Sequence, residues 1–140
     1  MTDWLRDPRA ERGEVKTFEA ERAEKRGEHA EARTLYREAA EAFAPLALSV
    51  PASNPKTRTV LGVAAVVTYA RAGSFGLAVD VGARLLAEDA ALTPEGKIEI
   101  LRLVEEYQGL MRLVSAKPES AHAASRTAAA RDGVLTAVRS

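Results

Sequence analysis

The chain is 140 residues long, 46% hydrophobic and 29% charged, with 20 basic residues balancing 20 acidic ones and no cysteine. That suffices for one domain with a modest core, and the even charge counts against wrapping nucleic acid, which needs a basic excess. The missing cysteines exclude disulfides, thiolate metal sites and thiol catalysis, while abundant alanine and only 5% aromatic residues favour close-packed helices over sheets.

Residues 1–10 (MTDWLRDPRA) read as an irregular lead, with Trp4 and Leu5 either tucked onto the domain or presented as an anchor. Asp3 and Asp7 stand where a signal peptide needs positive charge, and the longest apolar run, Val60 to Val67, is too short for a bilayer, so a cytoplasmic location is expected. From Glu11 to Arg26 charges of both signs surround Val15, Phe18, Ala20 and Ala23, and Glu21 with Lys25 forms a favourable i,i+4 pair. This predicts a helix with a thin buried stripe, ended by Gly27. The second helix begins near Glu28 and buries Ala32, Leu35, Tyr36, Ala39 and Phe43 at spacings of three and four. Pro45 is expected to stop or kink it, and Pro51, Ser53, Asn54 and Pro55 punctuate the loop that follows.

Asn54 and Pro55 open a third helix to about Ala72, apolar almost all round from Val60 to Val67 and therefore buried between neighbours. Gly73 and Ser74 turn the chain, with Ser74 a candidate cap, into a fourth helix over about 75–89. That helix is expected to bury Leu77, Ala78, Val81, Leu85 and either Gly82 or Leu86. Thr93 and Pro94 open the fifth, where Ile100, Leu103, Tyr107, Leu110 and Val114 form a stripe flanked by Val104 and Met111. Ile98, Leu101 and Leu113 fall outside the stripe, so this helix is expected to make two contacts, one with the fourth helix and one with a sixth helix or a partner subunit. Residues 115–140 are an alanine-rich tail with a short apolar tip at Val134, Leu135 and Val138. The tail is expected to be weakly ordered alone, or a sixth helix that docks with a partner.

One spacing occurs twice. Ala20 and Ala23 lead to Gly27, followed by Ala32, Tyr36 and Ala39; Val66 and Tyr69 lead to Gly73, followed by Ala78, Gly82 and Leu85. With Pro45 and Pro94 as closing prolines, residues 11–114 resemble two divergent tetratricopeptide units, the fifth helix opening a third. The resemblance implies an all-α fold of antiparallel helical hairpins, a solenoid fragment of about five helices. A generic helical bundle is the alternative. The two glycines lie 46 residues apart, longer than the family period of about 34. The first helix lacks the family's tryptophan, and Val66 replaces a small residue. Peptide-clamping members present basic and amide side chains on the first helix of each unit. Here that face of the third helix is Val60, Val63, Ala64 and Val67, with Arg71 alone basic.

Chemistry is sparse. His29 and His122 each lack a second ligand at helical spacing, no phosphate-loop, dinucleotide or nucleophile-elbow motif occurs, and Glu105–Glu106 and Glu88–Asp89 are adjacent carboxylates that point apart. No metal, cofactor or enzymatic activity is expected. The expected role is an adaptor or scaffold that binds an apolar helix or segment of a partner protein, with homo-oligomerisation a further option. Its contacts would be Val60, Val63, Val67 and Arg71 on the third helix and Ile100, Leu103, Tyr107, Leu110 and Met111 on the fifth. The alternative is a regulator contacting nucleic acid through Lys56, Arg58, Arg71 and Arg84 with the tail's Arg126, Arg131 and Arg139. No interleaved aromatics support it.

Overall fold

A computed structural model describes residues 4–125, with side chains through 114. Five α-helices follow a 3₁₀ turn at Trp4–Arg6: α1 Pro8–Lys25, α2 His29–Ser49, α3 Pro55–Arg71, α4 Phe75–Ala87 and α5 Pro94–Ser125, with a second 3₁₀ turn at Asp89–Ala91 before α5. No strand occurs among the described residues. Contacts divide the chain into residues 1–108 and residues 109–140.

Helix α1 starts earlier than the sequence pattern suggested. Asp7 accepts a hydrogen bond from the Arg9 amide at 2.8 Å and Pro8 occupies the first helical position, so the cap and the preset φ together fix the start. The lead is correspondingly short, and Trp4 packs half-buried against the main core. At the other end Gly27 has φ +78°, its amide donates to the Glu24 carbonyl, and the Glu28 amide donates to the Ala23 carbonyl. This is the Schellman arrangement, which satisfies two of the helix's last carbonyls. The same pair recurs at Gly73 (φ +79°), where Gly73 and Ser74 amides donate to Ala70 and Tyr69 carbonyls at 2.9 Å. Each turn joins neighbours packed along their length, α1 with α2 and α3 with α4, so each pair is an antiparallel hairpin, and α2 also packs on α3.

Pro45 does not end α2; the helix continues four residues to Ser49. Pro45 itself is exposed, whereas Phe43, Ala44, Leu46 and Ala47 around it are buried. Burial of the following turn thus offsets the roughly 3 kcal/mol penalty of an interior proline, and the loop shrinks to residues 50–54. Of the two expected caps near Pro55 and Phe75, neither Asn54 nor Ser74 makes a side-chain cap bond. Thr93 does cap α5: its hydroxyl accepts from the Gly96 amide at 2.9 Å.

The core of residues 1–108 is built around close helix approaches. On α4, Ala78, Val81, Gly82 and Leu85 are buried, but Leu77 is 37% exposed and Leu86 half-buried. Gly82 lies against Val104, Ile100 and Val66, Gly62 against Leu85, and Gly13 under the Phe43 ring, so a side chain at any of these would displace a neighbour. A smaller cluster of Ala20, Ala23, Ala32 and Tyr36 fills the first hairpin near its turn. In residues 109–140, α5 continues through Ser125, into the stretch that reads in the sequence as an alanine-rich tail. Leu113 and Val114, just before that stretch, are exposed. Arg126, Arg131, Arg139 and the tip at Val134, Leu135 and Val138 lie outside the described residues.

Tyr36, Tyr69 and Tyr107 all have phenol pKa values raised above 10, chiefly by burial; at Tyr36 the Glu24 carboxylate adds to this and Arg71 opposes it. The fold therefore holds the neutral phenols. Their contribution to stability is complete below pH 10 and is lost as pH rises through the raised values. The expected result is a urea midpoint that falls from pH 10 upward, with phenolate absorbance of the native protein appearing at higher pH than in denatured protein. Coincident titrations of native and denatured protein would count against it.

Candidate groove between α1 and α3

Helices α1 and α3 flank a groove of about 350 Å³ whose floor is supplied by Phe43 of α2. Phe43, 6% exposed, reaches this position because Gly13 leaves room for its ring. On the α1 side, Glu14, Thr17, Phe18 and Glu21 follow one helical face at steps of three and four. Ala64, Val67, Thr68 and Arg71 do the same on α3. Phe18 is 59% exposed beside the groove, and the Arg22 guanidinium lies 5.8 Å from its ring centroid.

Polar groups in the groove are largely committed to the fold. The Thr17 hydroxyl donates to the Gly13 carbonyl at 2.8 Å and the Thr68 hydroxyl to the Ala64 carbonyl at 2.7 Å, so both hydrogens point back into their own helices. Arg71 closes one end. Its guanidinium donates to the Tyr36 hydroxyl at 3.3 Å, lies 3.6 Å from the Glu21 carboxylate and sits over the Tyr36 ring. The Tyr36 hydroxyl in turn donates to Glu24 at 2.9 Å. These contacts hold the Arg71 side chain in place across three helices and raise its pKa, the Tyr36 bond contributing most.

The expected contact residues separate into three sets. Val67 and Arg71 line the groove, while Val60 is 51% exposed and Val63 half-buried on the same helix. Ile100, Leu103 and Tyr107 are 0%, 5% and 9% exposed and belong to the core, Tyr107 with its ring 5.8 Å from that of Phe75. They present no surface, because this part of the fifth helix packs against α4, where Ile100 and Val104 lie against Gly82 and Tyr107 against Phe75. Leu110 and Met111 fall in residues 109–140, exposed and half-buried respectively. The sequence pattern missed the α1 wall and the Phe43 floor. The 14, 17, 18, 21 spacing was available as a signal, but intervening charges mask it.

The basic patch is corrected too. Arg58 is 3% exposed: one guanidinium nitrogen donates to the carbonyls of Ala47, Leu48 and Val50, the other to Glu88 at 2.6 Å. It caps the end of α2 and cannot face a phosphate. Lys56 and Arg84 remain exposed. Among the described residues no cluster of three or more potential metal ligands occurs, and no helix is long and apolar enough to cross a membrane. Compared with protein-family models, curated proteins and solved structures, the chain matches none.

Proposed function

We propose that this chain is a non-enzymatic, tetratricopeptide-like interaction module that acts in the cytoplasm and binds a partner protein in the α1–α3 groove. The observation that carries the reading is a large aromatic side chain, Phe18, left 59% exposed at the edge of an apolar groove. Exposed aromatics beside a preformed cleft are the usual anchors of protein interfaces. The tetratricopeptide likeness is supported by the two hairpins with matching glycine turns and matching carbonyl caps. In that family the first helix of each unit faces the ligand, which here means α1 and α3.

The test uses tagged full-length chain, crosslinked in lysate of its source and read by mass spectrometry, beside Phe18→Glu and Val67→Glu. Both variants are expected to lose the captured partner by tenfold or more, about the consequence of removing one anchor. Phe18→Glu should melt as the parent does, since Phe18 is exposed. Identical capture by parent and variants, or no specific capture, would defeat the proposal.

A further inference from the structure

We infer that the α1–α3 groove takes an α-helix bearing a basic residue on its flank, in preference to an extended peptide or a chain-terminal carboxylate. The inference rests on the groove reading above and adds the conformation and charge of the occupant. Both groove walls are the middles of helices, whose backbone donors and acceptors are consumed within each helix. The hydroxyl hydrogens of Thr17 and Thr68 are likewise spent on their own helices. An extended segment buried here would give up water at its amides and find too few replacements, since only Glu14, Glu21 and Arg71 offer polar groups beyond the helices' own bonds, a larger penalty than a typical hydrogen bond returns. A helix satisfies its own backbone and needs only a ridge of side chains to lay between α1 and α3.

Charge sets the second requirement. Glu14 and Glu21 stand on the α1 wall and Arg71 on α3. Arg71 is engaged by Glu21 at 3.6 Å and by the Tyr36 hydroxyl at 3.3 Å, whereas Glu14 has no ion-pair partner among the described residues. The lining is therefore net negative. A carboxylate brought to Arg71 would share the guanidinium with Glu21, whose contact uses Nη1, and would stand in the field of both Glu14 and Glu21. A lysine or arginine beside the apolar anchors meets Glu14 with no such competition.

The probe is a fluorescein-labelled leucine-faced peptide of about 15 residues with flanking lysines, stapled because unaided helices of that length are marginal in water. Two controls accompany it: an unstapled form broken by a central proline, and a stapled form with glutamates for lysines. Titrated against the full chain, the stapled lysine form should bind at least about tenfold more tightly than either control. Phe18→Glu should abolish that binding, and Glu14→Lys should reverse the preference between lysine and glutamate. Equal binding of the proline form, indifference to charge, or no binding by any form overturns the inference. So does a dimer of the chain that dissociates on Phe18→Glu, because a second copy would then fill the groove. If lysate capture still depends on Phe18 while no peptide binds, the groove reading stands and the helical occupant falls. If capture is also indifferent to Phe18, both fall.

Discussion

Replacing Arg58 with alanine is expected to lower the unfolding free energy by about 3 kcal/mol, among the larger effects of any single substitution in this chain. The last turn of a helix leaves carbonyls without amide partners. At the end of α2, the carbonyls of Ala47, Leu48 and Val50 all converge on one Arg58 nitrogen at 2.9–3.3 Å, in a setting that leaves Arg58 only 3% exposed. Each bond to a charged donor in such a place contributes about 1.5–3 kcal/mol, but they share one nitrogen and do not add. The Nε atom is buried without an acceptor, which subtracts from the total. The Glu88 arm contributes less. That carboxylate is 68% exposed, and an ion pair open to water on one side is worth at most about 1 kcal/mol. Glu88→Gln should therefore shift the urea midpoint far less than Arg58→Ala. Arg58→Lys should fall between them, because an ammonium keeps the charge but cannot hold the planar fork. Equal losses in Glu88→Gln and Arg58→Ala would show that the ion pair, not the carbonyl cap, sets the stability.

Arg58 also shows where the sequence stops being informative. A basic residue one turn into a helix reads as solvated surface, and nothing local to it reveals that three carbonyls from residues 47–50 will surround it. The features that were legible are those set within a few residues. Gly27 and Gly73 were assigned to turns because a left-handed residue ends a helix most easily as glycine, and both have positive φ. All ten residues that echo around them, from Ala20 to Ala39 and from Val66 to Leu85, are buried. Pro45, expected to stop or kink α2, does not stop it, for the opposite reason. Its local penalty is real, but the burial of Leu46, Ala47 and Val50 that overrides it comes from tertiary packing.

The groove was half legible. The resemblance to tetratricopeptide units implied the face of α3 that carries Val60, Val63, Val67 and Arg71, and of these Val67 and Arg71 line the groove. Periodicity could not divide the apolar surplus of α5 between core and surface. Ile100, Leu103 and Tyr107 vanish into the core, while Ile98 and Leu101 stay 70% and 45% exposed. That division depends on how α4 and α5 approach each other, and Gly82, with Val104 pressed against it, permits an approach no larger residue would allow.

The second large effect concerns Leu85, which is fully buried and packs over Gly62. Leu85→Ala should cost about 3–4 kcal/mol, the transfer energy of the lost methyl groups plus the cavity they leave. Gly62→Ala alone should be close to neutral. Its new methyl would lie 2.7 Å from the end of the Leu85 side chain, a flexible tip that can move, and the strain is offset by a helix-propensity gain of about 1 kcal/mol. Combined, the two substitutions should recover about 1–2 kcal/mol of the Leu85→Ala loss, because the alanine methyl enters space the leucine has vacated. The coupling follows from how the two hairpins distribute volume. After its turn the first hairpin places Tyr36 and then Ala39, and the second places Gly82 and then Leu85, so the bulk moves by one helical turn. Each large residue needs a small one facing it, and for Leu85 that residue is Gly62. Urea unfolding of the two single variants and the double measures the coupling directly. Strict additivity would mean that α3 and α4 shift apart to accommodate each change, and that Gly62 is not the socket that seats Leu85.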